Sequence, residues 1–231
     1  MLRDKNRRAA AFGKLLAKPN QPQKRSTTVG LRSLGLDSSR DTLLYVPKSY
    51  QADKPAALVV MLHGAGGDAR GGLAPFLQQA DTAGLILLAP TSRQQTWDLL
   101  YYSEYGADIA LINQALMHTF SHYSVNLEQI AVGGFSDGAS YALSIGITNG
   151  DLFSHIIAFS PGFMAPKQHQ GNPQIFISHG TWDNVLPINL CSRRIVPQLQ
   201  RANYDVVYQE FNGFHTVTTG IANDALKWFG N

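Results

Sequence analysis

A serine with a glycine two positions away on either side, Gly134, Ser136 and Gly138, sits where the apolar run Gln129-Ile130-Ala131-Val132 gives way to small residues. The pattern predicts a strand, a sharp turn and a helix, with the serine in a strained backbone conformation and its hydroxyl lifted out of a sheet. A serine hydroxyl is a weak nucleophile near neutral pH. Chemistry therefore requires an imidazole to take its proton and a carboxylate to orient that imidazole and stabilise its charged form. Taken alone, the five-residue pattern is equally a glycine-rich strand-to-helix loop carrying an incidental serine.

Later segments supply the partners. The apolar run Ile175-Phe176-Ile177 leads through Ser178-His179-Gly180-Thr181-Trp182 into a loop that carries Asp183, and Phe211-Asn212-Gly213-Phe214-His215 places His215 after the last strand, just before the closing helix. The chain order Ser136, Asp183, His215 is that of an α/β-hydrolase and differs from two unrelated serine-hydrolase folds. His179 is a rival base, but it lies where the strand ends, a poorer position than that of His215. Asp137, beside the serine, is better placed for the dipole of the following helix than for orienting a histidine, and Asp205 begins a strand at the wrong edge. His63 reads as a structural hydrogen-bonding residue. His118, His122, His155 and His169 lack a matching acid, and no cluster of metal-ligating types is present, so neither a metal nor a cofactor is expected.

Acyl transfer also needs donors for a developing oxyanion. The glycine-rich turn His63-Gly64-Ala65-Gly66-Gly67 lets backbone approach a substrate closely, and the amide of Ala65, with Gly66 as the alternative, is expected to join that of Asp137. The turn lacks the Gly-Lys-Ser/Thr ending of a phosphate loop and the spacing of a dinucleotide fingerprint. Trp97, Tyr101, Phe163, Met164, Trp182, Leu186 and Phe214 are candidate pocket walls, each equally able to belong to the core.

The elements that must hold these residues can be read in turn. Extended segments at 27–34 and 42–46, joined by a turn-rich stretch, predict an antiparallel hairpin. Continuous apolar runs at 56–62 and 85–89 predict buried strands, followed by strands at 155–159, 174–178 and 205–210 around the serine strand. Helices are predicted near 72–82, 104–123, 190–202 and 217–229, besides the one after Ser136. Residues 91–105 read as a polar and aromatic surface loop beyond a strand end, a place where ligand sites are often lined. The alternation after an initial antiparallel hairpin predicts a mostly parallel central sheet with right-handed crossovers; with the serine turn and the chain order of its partners, the chain resembles an α/β-hydrolase fold, which implies helices on both faces of that sheet, and no large cap domain is expected.

Composition agrees with one domain spanning 26–231: 231 residues, 44% hydrophobic and 15% charged, bury a sizeable core and exclude disordered and fibrous classes. No run of 18 apolar residues exists, so no stable membrane insertion is expected, and the single Cys191 excludes an internal disulfide framework; both fit a cytoplasmic protein, monomer or homodimer. Residues 1–25 hold eight basic residues against Asp4 alone, whereas the remainder has 11 basic and 15 acidic residues. This is read as a solvated, flexible N-terminal arm, and no nucleic-acid surface is expected because no aromatic residues interleave with the basic ones.

Jointly, Leu62-His63-Gly64, Gly134-Phe135-Ser136-Asp137-Gly138, His179-Gly180-Thr181-Trp182-Asp183-Asn184-Val185-Leu186-Pro187 and Gly213-Phe214-His215 make the chain from about residue 40 to 230 resemble the phospholipase/carboxylesterase group of α/β-hydrolases, which includes bacterial carboxylesterases and acyl-protein thioesterases. The resemblance implies a serine carboxylic-ester hydrolase acting through an acyl-enzyme on small-molecule esters with short or soluble acyl groups. Two positions depart from the group's pattern: Asp137 stands where a glutamine is usual, and Phe214 stands where the histidine turn commonly has glycine. The Ala-Gly-Gly-Asp turn and the Ser-Asp-Gly-Ala elbow are also similar to polyhydroxybutyrate-depolymerase-like and feruloyl esterases. A non-catalytic binding protein on this fold is the reading from another class.

Overall fold

Successive residues of a strand point to opposite faces of its sheet, so an apolar run without alternation must be covered on both sides. The computed structural model, which describes residues 2–19, 22, 26–37 and 40–230, realises this for the central strands. The strands β1 (Gly30–Ser33), β2 (Leu43–Val46), β3 (Ala56–Leu62), β4 (Leu85–Ala89), β5 (Val125–Phe135), β6 (His155–Phe159), β7 (Gln174–Gly180) and β8 (Val206–Phe211) form one sheet in the order β1-β2-β4-β3-β5-β6-β7-β8. The pairs β1–β2 and β2–β4 are antiparallel, as the predicted hairpin requires, and all pairs from β4 through β8 are parallel.

The helices are α1 (Leu2–Ala11), α2 (Ala69–Leu73), α3 (Ala80–Ala83), α4 (Asp98–Tyr102), α5 (Ala107–His122), α6 (Asp137–Thr148), α7 (Ser192–Arg201) and α8 (Thr219–Phe229). Leu58, Val60 and Leu62 of β3 face one layer, with Ile109 and Ile112 of α5, Leu143 of α6 and Leu199 of α7. Val59 and Met61 face the other, with Leu73 of α2, Ala80 of α3 and Ile221 and Ala225 of α8. The parallel strands thus deliver all their carboxyl ends to one edge, where the loops carrying Ser136, Asp183 and His215 meet.

Three expectations need correction. The helix predicted over 72–82 is two short helices, because Pro75 follows the first, where Asp68 caps the amide of Gly71, and Gly84 at φ 63° closes the second. Residues 91–105 are not a simple surface loop: they contain α4, and Trp97 is fully buried. The N-terminal segment is not solvated throughout its first 25 residues, since Ala10, Leu15 and Ala17 join the core. Asn149 Oδ1 accepts the Leu15 amide at 2.8 Å, Asn113 Oδ1 accepts those of Leu16 and Ala17 at 2.7 Å, and Lys14 and Lys18 pair with Asp151. Among the described residues no helix is long and apolar enough to cross a membrane, and no group of three or more metal-ligating side chains occurs.

Candidate active site

Ser136 caps α6 at φ 57° and ψ −120°, a conformation that costs a non-glycine residue on the order of 1 to 3 kcal/mol and persists only where the surroundings enforce it. The surroundings here are backbone. A Cβ on Gly138 would collide with the carbonyl oxygens of Leu62 and His63, and one on Gly134 would collide with the backbone of Gly138. Strand β5, the turn and α6 are therefore pressed against the end of β3 more closely than any side chain permits. The Ser136 amide donates to the Phe159 carbonyl at 2.9 Å, which ties the turn to β6.

The structure brings His215 to Ser136 and Asp183 to His215. His215 Nε2 lies 2.8 Å from Ser136 Oγ, and His215 Nδ1 lies 2.6 Å from Asp183 Oδ2. The two loops that bring them are zipped together: the Thr181 amide donates to Phe211 O at 2.8 Å and the Trp182 amide to Gly213 O at 3.0 Å. Gly180 permits this approach, because a Cβ there would strike the carbonyls of Gly213 and Phe214. The ring of Phe135, 4.6 Å from that of His215, backs the imidazole.

Burial alone would raise the Asp183 carboxyl, but hydrogen bonds from His215, Leu186 and Val185 outweigh it and hold the group below its ordinary value. The amides of Val185 and Leu186 donate to Oδ1 at 3.0 and 2.8 Å, leaving Oδ2 for the imidazole. Asp183 is thus a buried anion, suited to stabilise an imidazolium. His179, the rival base, lies behind this carboxylate with Nε2 3.2 Å from Oδ2 and a fully buried side chain.

The glycine-rich turn lies against Ser136, since a Cβ on Gly64 would sit 3.4 Å from Ser136 Cβ. The Gly66 amide donates to Gln95 O at 2.6 Å and the Gly67 amide to Gly64 O at 3.1 Å, so Gly66 is committed within the protein. Among the described residues no acceptor takes the amides of Ala65 or Asp137. His63 is held, not poised: Nε2 accepts the Ser92 amide at 2.9 Å, so Nδ1 carries the proton and donates to Gly64 O at 2.7 Å. Burial lowers its pKa and keeps it neutral.

The structure divides the candidate walls. Trp97 is fully buried beneath the site, stacked 5.1 Å from Tyr141, with its Nε1 donating to His63 O at 2.9 Å. Tyr101 is exposed and packs on Tyr102 in α4, and Met164 packs on the core. Leu186 lies over Gly162, and the Gly162 and Phe163 amides reach Ser140 Oγ behind the nucleophile. Trp182 and Phe214 are the two that present apolar surface beside His215: they are 58% and 61% exposed and meet edge to face at 5.9 Å.

Sequence reasoning missed what braces the turn at Ala65 and the start of α6. Thr96 Oγ1 donates to Asp137 Oδ2 at 2.6 Å, and with the Ser92, Gln95 and Trp97 contacts it makes segment 92–97 the brace of both the turn and the start of α6. That segment hangs on two buried carboxylates. Asp108 accepts the amides of Arg93 and Asp98 at 2.7 and 2.6 Å, while Asp98 accepts Tyr141 Oη at 2.7 Å and the amides of Leu99, Gly106 and Asp108. Burial, then the neighbouring Asp98, pushes Asp108 up to about 7. The available signal was two aspartates flanking an aromatic stretch that no solvated loop needs.

The sequence profile of the phospholipase/carboxylesterase family matches residues 106–226. A probable feruloyl esterase C of Aspergillus flavus is 24% identical over 208 residues, covering 81% of this chain and 76% of that one. An S-formylglutathione hydrolase of Staphylococcus aureus superposes with a TM-score of 0.70 at 16% identity, covering 90% of this chain and 98% of that one. A ferulic acid esterase of Anaeromyces mucronatus, solved with ferulic acid, superposes at 0.66 with 20% identity, covering 92% and 95%. These structural likenesses establish the α/β-hydrolase fold.

Proposed function

The chain belongs to the phospholipase/carboxylesterase family, and from that premise we propose that it is a serine ester hydrolase whose reacting residues are Ser136, His215 and Asp183. The observation that carries this reading is the unbroken hydrogen-bonded chain from Asp183 Oδ2 through both ring nitrogens of His215 to Ser136 Oγ. His215 takes the hydroxyl proton as Ser136 Oγ attacks the ester carbonyl, then gives it to the departing alkoxide. The acyl group stays on Ser136 until water, deprotonated by His215, releases the acid. Asp183 fixes the tautomer and balances the imidazolium. The amides of Ala65 and Asp137, both without an acceptor among the described residues, are the donors for the tetrahedral oxyanion. The chain between β6 and β7 forms no helix, so that segment builds no cap over the site, which favours short or soluble acyl esters.

A second reading of the substrate has its own support. The exposed pair Trp182 and Phe214 gives an aromatic surface beside His215, which suits an ester bearing an aromatic ring, the type on which the feruloyl esterases similar to this chain act. One experiment tests both: hydrolysis of p-nitrophenyl esters from acetate to palmitate, together with methyl ferulate, by the intact protein and by Ser136→Ala. Turnover that falls with chain length and is lost in the variant is expected. Methyl ferulate outpacing an aliphatic methyl ester favours the aromatic reading. Full activity in Ser136→Ala overturns the assignment.

A further inference from the structure

His179 is the penultimate residue of β7, its side chain is fully buried, and both ring nitrogens are bonded. Nδ1 lies 2.7 Å from Ser192 Oγ and Nε2 lies 2.8 Å from the Leu186 carbonyl oxygen. A carbonyl oxygen only accepts, so Nε2 carries the proton, Nδ1 is an acceptor and the Ser192 hydroxyl donates to it. The same Nε2–H faces Asp183 Oδ2 at 3.2 Å, the oxygen that also receives His215 Nδ1. The carboxylate therefore receives three N–H groups, from His215 on Oδ2 and from Val185 and Leu186 on Oδ1, with the Nε2–H of His179, shared with the Leu186 carbonyl, beside Oδ2 as a secondary donor. A charge fully shielded from solvent depends on such donors, and the removal of any one leaves it short.

We propose that Ser192 and His179 form a positioning relay behind Asp183, which aims the carboxylate at His215 and keeps it ionised. The proposal rests on the reading of Ser136, His215 and Asp183 as the reacting residues. His179 exchanges no proton with substrate, because Asp183 stands between it and His215. Burial lowers its pKa, so it acts as a neutral dipole. A neutral donor supports the carboxylate without cancelling the charge that the imidazolium needs. Ser192 opens α7 and Leu186 closes the acid loop, so the relay ties β7, α7 and that loop to one imidazole. A histidine with one fixed tautomer does this; an apolar residue of similar size fills the space but supplies no donor.

The test compares kcat, KM and the pH profile on p-nitrophenyl acetate for the intact protein, His179→Leu, His179→Gln, Ser192→Ala and Ser136→Ala, with thermal melts for each. His179→Leu is expected to lower kcat about tenfold to a hundredfold, the scale of a lost hydrogen bond to a charged group, with KM nearly unchanged. Its acid limb moves to higher pH, because a carboxylate short of a donor protonates more readily. His179→Gln, whose side-chain amide reaches the position of Nε2, recovers most of the loss, and Ser192→Ala costs less than His179→Leu. A folded His179→Leu with the kcat and acid limb of the intact protein overturns the proposal. So does an equal loss in His179→Leu and His179→Gln with no change in the acid limb, which is the behaviour of a packing residue. If His179→Leu does not fold, the Gln and Ala variants decide: Ser192→Ala with unaltered kcat and acid limb refutes the relay. The low-field proton resonance of the bond between Asp183 and His215 gives a readout independent of turnover; it shifts in His179→Leu and stays in place in His179→Gln if the relay is right. Persistent turnover in Ser136→Ala instead overturns the proposed function, leaving the resonance to judge the relay.

Discussion

Replacing Asp108 by asparagine should change how stability depends on pH, with a sign and size set by its environment. Burial, then the charge of Asp98, raises its carboxyl from 3.8 to about 7. At about 1.4 kcal/mol per pH unit, that gap is worth roughly 4 kcal/mol. A folded-state pKa raised above the unfolded value means that the native state holds the proton more tightly. The contribution is fully present below pH ~4 and is lost as pH rises through about 7. Roughly 2.5 kcal/mol of it falls between pH 5 and 8. His63, His155 and His179, lowered by burial, act in the opposite direction, because their contribution is lost as pH falls below the unfolded histidine value. The raw pH profile mixes the two effects, so the informative quantity is the difference between the intact protein and Asp108→Asn. The variant is less stable at pH 5, since Asp108 accepts backbone amides on both oxygens and an asparagine NH2 would face one of them. As pH rises to 8 that deficit shrinks by roughly 2.5 kcal/mol. Urea unfolding followed by tryptophan fluorescence at pH 5, 6, 7 and 8 measures it. A deficit constant to within about 1 kcal/mol would refute the reasoning and place the Asp108 carboxyl near its ordinary value.

Two further outcomes follow from the contacts around the site. Thr96→Val removes the hydroxyl that holds the Asp137 carboxylate, freeing a negative charge beside the amide assigned to the oxyanion; kcat/KM should fall about three- to tenfold. In an Asp137→Asn background the same change should cost almost nothing, and equal losses in both backgrounds would show that the charge is irrelevant. Asn149→Ala removes the acceptor of the Leu15 amide and the donor to Gly13 O, costing about 2 kcal/mol or more; trypsin should then cut at Lys14 or Lys18 well before the body unfolds, and unchanged resistance would refute the latch.

What was legible in the sequence is what depends on short-range pattern. The strands from β3 to β7 announced themselves because a strand covered on both faces has no room for polar alternation, as in Leu58-Val59-Val60-Met61-Leu62. The serine turn was legible because Gly134 and Gly138 stand where backbone meets backbone. Asp183 and His215 were found by chain order and the loops that follow their strands. The N-terminal latch was hidden because Leu15, Leu16 and Ala17 show no period of their own; they are extended residues whose amides are taken by Asn113 and Asn149, about a hundred or more positions away. Trp97 was left open between pocket wall and core for a related reason. An aromatic residue in a polar stretch beyond a strand end reads as a wall of a ligand site, yet its indole finds the His63 carbonyl and the Tyr141 ring.

The segment from 91 to 108 shows why one side of the candidate site escaped the sequence while the other did not. Asp183 and His215 hang from adjacent parallel strands, β7 and β8, whose order sets their separation. The proposed oxyanion donors, the amides of Ala65 and Asp137, follow the ends of β3 and β5, and their mutual position is fixed by a third piece of chain that pairs with neither strand. That piece touches the turn at Ser92, Gln95 and Trp97 and the start of α6 at Thr96. It has no strand register to locate it, so its geometry must come from elsewhere, and Asp98 and Asp108 supply it by gathering five backbone amides. Two carboxylates held this close repel and resist burial, and the amides and the Tyr141 hydroxyl are what make the arrangement tolerable. Stability is thereby given up at high pH in the segment that aligns the site, as expected where precise placement matters more than a well-packed apolar core.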